Sequence, residues 1–178
     1  DARDVPNLQV RPNLLFSVQL LDQADLAWQL FVNMNEIALT RGVVGGLPEN
    51  LDAYPHPGES APRLTGTFLQ GWSNAEQLRV WYQGFLGIQP DLEQGVIRLA
   101  PRLPKAFGDV EFNSRIGAGV LHASYERSDH GRRYTWRLQG QSARLDLDIA
   151  PFERRSFSVA AGDTLVVEQA ADSLVVRQ

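Results

Sequence analysis

The hydrophobic pattern changes period near Gly95, and that change restricts the fold more than any other feature of the chain. Upstream, apolar residues recur at three- and four-residue spacing. Leu26, Leu30, Phe31, Met34, Ile37 and Ala38 mark one buried helical face. Downstream, short runs alternate or stay apolar: V-I-R-L, V-E-F, V-L-H-A-S-Y-E-R, R-Y-T-W-R-L, A-R-L-D-L-D-I, S-F-S-V, T-L-V-V-E-Q and S-L-V-V-R. Gly108-Asp109, Asp129-His130-Gly131, Gly140 and Gly162-Asp163 separate them as turns. Such spacing predicts an antiparallel β-sandwich. In L-D-L-D-I the leucines are expected to face a core and the aspartates water. The predicted class is therefore α+β, helical over residues 1–90 and a sandwich over residues 91–178, with I-Q-P-D (Ile88 to Asp91) as the turn between them.

In the helical half, Asn13 is placed to cap L-L-F-S-V-Q-L-L, and Asp22 or Asp25 to cap a second helix reaching Thr40. Gly42 and Gly45-Gly46 stop it. Thr65 or Thr67 is expected to start a third helix ending near Leu86. Its apolar residues, from Phe68 and Leu69 through Trp72 and Trp81 to Phe85, cover much of the circumference, the pattern of a helix buried on several sides.

At 178 residues the chain suffices for one domain or two small ones, and 43% hydrophobic with 21% charged residues fits a soluble globular protein. A net charge of -4 disfavours nucleic acid, whose phosphates demand a basic face. No apolar run approaches a membrane span and no signal-peptide core is present. Without cysteine there are no disulfides or thiolate metal sites, and the compartment stays open. The absence of an initiator Met suggests the tail of something longer.

Between the second and third helices runs Gly42 to Trp72, a stretch of glycines and prolines too long for a simple turn. Long irregular connections inside compact domains are usually functional. Pro48 pins the backbone beside Glu49, so this carboxylate can stand on a rigid bend as a general base must. Asp52 and Glu59 sit in ordinary turn chemistry. Of the aromatic residues, Trp72 borders the loop, where a flat ring suits the apolar face of a sugar, whereas Trp81 and Tyr82 are core-like. G-W-S-N-A partly resembles a nucleophile elbow at Ser73, but lacks the preceding strand, the closing Gly and a partnering His. His56, His122 and His130 show no metal-ligand spacing.

Three segments then occur in order: R-P-N-L-L-F-S-V-Q-L (Arg11 to Leu20), G-G-L-P-E (Gly45 to Glu49) and L-Q-G-W-S-N-A-E-Q-L-R (Leu69 to Arg79). Together they resemble the end of the glucosidase domain of the amylo-α-1,6-glucosidases, the glycogen-debranching type. The later I-Q-P-D and L-A-P-R-L-P segments resemble the exit from that domain into a trailing β-domain. The resemblance implies an (α/α)6 barrel of twelve helices and inverting hydrolysis of an α-glucan without a cofactor or metal. Inversion uses two carboxylates about 6.5–9.5 Å apart. By this resemblance Glu49 matches the general base, while Arg11, Asn13, Gln70 and Trp72 match residues lining the substrate pocket. Leu14 stands where many relatives have Gln, and Gly71 replaces the usual Ala. The acid carboxylate and most of the barrel are expected upstream of residue 1, so this chain alone would be inactive and its partner the remaining N-terminal part of the enzyme. The competing expectation is a non-catalytic β-sandwich, an interaction or carbohydrate-binding module with the helices as its docking platform.

Overall fold

The computed structural model describes residues 23–52 and 54–178. The fold is α+β with mostly antiparallel sheets, in two compact units. The first runs to Leu86 and takes in Arg102–Lys105; the second comprises Gly87–Pro101 and Ala106–Gln178. The expected helix after Asn13 lies outside the described residues, as do Arg11, Asn13 and Asp22.

In the first unit, α1 spans Ala24–Thr40 and buries Ala27, Phe31, Met34 and Ala38, the stripe expected from the period. Its N-cap is Gln23, not Asp25. The Asp25 carboxylate instead accepts a hydrogen bond from the Lys105 backbone N–H at 2.7 Å, so it ties down a distant segment from within the first helical turn. At the other end Gly42 takes φ +64° and Gly45 φ +78°. The Gly45 N–H reaches back to Ala38 O at 2.7 Å, satisfying a terminal carbonyl.

The next helix, α2, begins later than the sequence suggests, at Gly71, and runs to Arg79 with Gln70 as N-cap. Thr65 and Thr67 do not cap it, because Thr65 is paired with Asn50 and Thr67 is engaged with Glu49. From Val80 to Phe85 the helix widens into a π-helical turn. That turn carries Trp81 and Phe85 onto α1, with ring centroids 5.9 and 5.3 Å from Phe31. Trp28 completes the cluster, 5.3 Å from Phe85 in an edge-on arrangement. A part-buried amide pair adds a polar tie between the helices, Gln77 Nε2 donating to Asn35 Oδ1 at 3.2 Å. The outer side of this region is not covered as an all-round apolar helix would be. Leu78 is 68% exposed, Phe68 57% and Trp72 39%.

The second unit holds nine strands: β3 Ile88–Asp91, β4 Val96–Leu99, β5 Val110–Ile116, β6 Gly119–Ser128, β7 Gly131–Gln139, β8 Ala143–Leu147, β9 Arg155–Val159, β10 Thr164–Ala170 and β11 Leu174–Arg177. They form a five-stranded sheet in the order β11-β10-β7-β6-β5 and a four-stranded sheet in the order β3-β4-β8-β9. I-Q-P-D is thus a strand rather than a turn. Pro90 is tolerated there because β3 is an edge strand, where a missing N–H breaks no central ladder. The sheets are not wholly antiparallel either, since β4 and β8 pair in parallel. Parallel neighbours need a long crossover, and the β5-β6-β7 meander of the other sheet supplies it.

Alternation fills the core with Leu121, Ala123, Tyr125, Tyr134, Trp136, Leu138, Leu165 and Val167 from the larger sheet, and with Ile97, Leu99, Leu145 and Leu147 from the smaller. Trp136 is fully buried, and its Nε1–H donates to the Tyr125 hydroxyl at 3.1 Å. Tyr134 stacks on Trp136 at 5.5 Å and donates its hydroxyl proton to Gln169 Oε1 at 3.0 Å, so the aromatic ladder leaves no buried polar tip unmatched. L-D-L-D-I departs from expectation at one residue. Asp148 is 8% exposed rather than in water, held by Arg98 and by Arg154 Nε at 3.0 Å. Two guanidiniums supply the partners without which a carboxylate is rarely buried. Burial alone would raise the Asp146 pKa, but hydrogen bonds from Ser156 and Arg144, with the charges of Arg144 and Arg98, bring it below its ordinary value.

Gly87 opens this unit with φ +74°, and a Cβ there would lie 2.2 Å from the backbone of Ala100 and Pro101. Backbone atoms cannot swing aside as a side-chain tip can. Gly87→Ala is expected to cost about 1–3 kcal/mol, read as a lower urea midpoint for the β-rich unit by tryptophan fluorescence.

Candidate active site

The Gly42 to Trp72 stretch folds into a small hairpin set against the start of α2. Its strands are β1, Asn50–Leu51, and β2, Leu64–Thr65, paired antiparallel. Two further backbone bonds extend the ladder, Glu49 N–H to Thr67 O at 2.8 Å and Asp52 N–H to Arg63 O at 3.0 Å. The stretch is therefore not wholly irregular: a short register fixes both ends and leaves only the tip as loop.

Three bonds fasten L-P-E to the helix start. The Leu47 N–H donates to Asn74 Oδ1 at 2.8 Å, the Gln70 N–H donates to Leu47 O at 2.9 Å, and the Ser73 hydroxyl donates to Pro48 O at 3.2 Å. A buried backbone must find partners, and Pro48 has no N–H to offer. The L-P-E and Q-G-W-S-N segments, far apart in sequence, are thus brought together by hydrogen bonds that each supplies to the other.

Glu49 follows directly and is half-buried. Its Oε2 accepts from the Thr67 N–H at 3.2 Å, with the Thr67 hydroxyl at 3.5 Å. Gly66, at φ +72°, makes room for it; a Cβ on that residue would stand 2.6 Å from the same oxygen. One oxygen is thus anchored, and among the described residues the other, Oε1, has no hydrogen-bond partner. Gln70 is half-buried at the helix N-cap, and Trp72 is exposed in the first turn of α2, between the clamp residues. Arg11 and Asn13 lie outside the described residues, so their relation to Glu49 is undescribed.

The two other acids of the stretch are engaged at the tip. Asp52 Oδ2 sits 2.8 Å from His56 Nε2. Arg63 Nε donates to both oxygens of Glu59 at 2.8 and 3.1 Å. The hydrogen bond from Arg63, with the charges of Arg63 and His56, holds the Glu59 carboxyl below its ordinary value of 4.5 against the opposing effect of burial. An acid so stabilised as its anion is a poor proton donor near neutral pH. Beside this tip lies an open groove of about 760 Å³, lined by Arg41, Glu59, Arg63, Leu64 and Phe68 among others, but by none of Glu49, Gln70 and Trp72. Arg41 Nη1 bonds Pro62 O at 3.1 Å across it.

Ser73 is 2% exposed, lies inside α2, and spends its hydroxyl proton on Pro48 O, an arrangement with no strand-to-helix elbow and no accessible nucleophile. His122 lies in the second unit with its two ring nitrogens near Asn113 Oδ1 at 2.5 Å and Gln139 Oε1 at 2.9 Å. Among the described residues no three His or carboxylate side chains gather as a metal site, and no helix is long and apolar enough to cross a membrane. From sequence Thr67 was expected only as a helix cap, and neither it nor Asn74 was singled out for the site. The available signal was the buried, hydrogen-bond-hungry backbone of a Gly-Gly-Leu-Pro segment, which must be met by side chains from elsewhere. Compared with known protein families, curated proteins and solved structures, the chain finds no match in any of the three.

Asn74→Ala removes the acceptor for the N–H of a 5% exposed Leu47 and is expected to destabilise the first unit by about 1–3 kcal/mol, measured by hydrogen exchange at Leu47. At the tip, the lowered pKa of Glu59 means its ion pair with Arg63 is complete above 4.5 and is lost as pH falls through the depressed value. The Arg63 Nε–H resonance should therefore titrate below pH 4.5, and that step should vanish in Glu59→Gln.

Proposed function

We propose that the first unit forms one wall of the active site of an inverting α-glucan hydrolase of the debranching-glucosidase type, with Glu49 as the general base. The observation that carries this reading is the anchored carboxylate. Glu49 is fixed through one oxygen by Thr67, stands on a hairpin clamped to α2, and among the described residues has no hydrogen-bond partner at its second oxygen. A base that takes a proton from water in the transition state gains from such fixed geometry. The exposed Trp72 ring on the same clamped segment would supply an apolar platform for a sugar face.

In this reading Glu49 activates a water for attack on the anomeric carbon, while a protonated carboxyl on the opposite side of the sugar donates to the leaving oxygen. Glu59 does not suit that second role, because Arg63 stabilises its charged form. The acid would come from the remaining part of an (α/α)6 barrel, whose helices would cover the exposed Leu78 and Phe68 surface. The β-rich unit would be the trailing sandwich of the same enzyme. The alternative of a carbohydrate-binding sandwich has less support, since the large rings of the five-stranded sheet, Tyr125, Tyr134 and Trp136, are buried rather than offered as a stacking face.

The test is Glu49→Gln in the complete enzyme that carries this chain, assayed on an α-1,6-branched oligosaccharide. Turnover is expected to fall about 10²–10⁴-fold with little change in KM. A loss smaller than about tenfold removes Glu49 from the role of base, and retention of the starting anomeric configuration in the product removes the inverting mechanism.

A further inference from the structure

The groove at the hairpin tip holds none of Glu49, Gln70 and Trp72, and its lining has a chemistry of its own. The loop from Asp52 to Arg63 is closed by the bond from Asp52 N–H to Arg63 O and braced by Glu59 N–H on His56 O at 2.9 Å. Arg41 Nη1, just past the end of α1, ties down Pro62 O. Gly42 lets Leu64 close against bare backbone, since a Cβ there would stand 2.7 Å from Leu64 Cδ1. The wall is thus formed before any ligand arrives, which spares binding the entropy of ordering it.

The polar lining is matched in sign and keeps hydrogen-bonding capacity. Arg63 commits Nε and Nη2 to Glu59. That hydrogen bond, with the charges of Arg63 and His56, keeps the Glu59 carboxylate ionised. A guanidinium carries five N–H groups and a carboxylate about four lone-pair positions, so the pair exhausts neither. Among the described residues Arg41 makes one hydrogen bond and no ion pair, and Ser60 adds an exposed hydroxyl. An anion brought to either arginine meets Glu59, and a cation brought to Glu59 meets both arginines. A neutral ligand rich in hydroxyls meets donors and acceptors alike and is repelled by none of them. Half-buried Pro62 and Leu64 border the same space, with Phe68. At 57% exposure the Phe68 ring has surface for a barrel helix on one side and a ligand on the other.

We propose that this groove is an accessory site for a neutral α-glucan chain, holding a stretch of substrate away from Glu49. The identity of the ligand rests on the reading of Glu49 as the base of an α-glucan hydrolase. A pyranose ring offers a C–H face to apolar side chains and hydroxyls to polar ones, and this lining supplies both. The groove volume of about 760 Å³ lies within the range of about 300–1,000 Å³ typical of ligand sites. Its open form suits a chain passing through rather than a single enclosed sugar. Glu49 and Asp52 stand at the two ends of the short β1 ladder, about 10 Å apart along an extended strand, a span that an oligosaccharide covers.

The experiment is a titration of the full 178-residue chain with maltoheptaose and, separately, with glucose, followed by amide proton–nitrogen spectra. Saturable shifts are expected at Arg41, Ser60, Arg63 and Leu64 and not in β6 or β7, with maltoheptaose bound more tightly than glucose. Arg41→Gln and Glu59→Gln, both at exposed positions where the fold is not at stake, should each weaken binding about tenfold. Absent or unsaturable shifts, equal affinity for glucose, or unchanged affinity in either variant overturns the proposal. The base and the groove fail separately. Lost turnover in Glu49→Gln without maltoheptaose shifts removes the groove alone, and retained turnover with saturable shifts removes the base alone.

Discussion

The first unit depends on a single exchange of hydrogen bonds between an irregular segment and a helix start. Leu47 and Pro48 sit in a glycine- and proline-rich stretch that cannot satisfy its own backbone, while the first turn of a helix has backbone and side-chain groups to spare. Asn74, Gln70 and Ser73 close that gap, and the hairpin takes its position from them. Glu49 is placed because Pro48 is placed. The hairpin register is set because Glu49 N–H meets Thr67 O. The proposed base therefore has its geometry determined by its neighbours in the clamp, which is the support a catalytic carboxylate needs if it is not to wander.

The second unit solves its polar accounting differently. Its aromatic ladder pairs each buried polar tip with another side chain, Trp136 to Tyr125 and Tyr134 to Gln169, so large amphipathic rings enter the core without stranded donors. Charge is handled by pairing on the outer face, where Arg133, Glu126, Glu168 and Arg177 alternate in sign.

The sheets were largely legible in the sequence because a period of two survives wherever one face is buried, as in Leu121, Ala123 and Tyr125. Strand β3 was obscured by Pro90, whose meaning depends on whether the strand is central or at an edge, a fact of the whole sheet. Asp148 was misread because alternation along one strand is silent about arginines arriving from elsewhere. Both cap expectations failed for a related reason. A threonine or aspartate near a helix start has several backbone groups in reach, and tertiary partners took Asp25, Thr65 and Thr67 for other uses. In the site, the position of Glu49 on a pinned bend could be read from Pro48, but its anchor could not, because Thr67 lies across a hairpin whose register no local pattern announces.

The parallel contact of β4 with β8 also orders events in time. Every residue between Ala100 and Ser142 must be synthesised and drawn aside before the two strands can meet, so the smaller sheet cannot close behind the growing chain. Hairpins such as β6–β7 zip from neighbouring residues and can form early, whereas closing a long connection demands its entropy in advance. Until β8 arrives, Ile97 and Leu99 lack their companions Leu145 and Leu147, and a strand with one apolar face and one open edge awaits its match. A chain truncated between Ala100 and Ser142 leaves that edge permanently unpaired, a surface suited to sticking to other copies of itself.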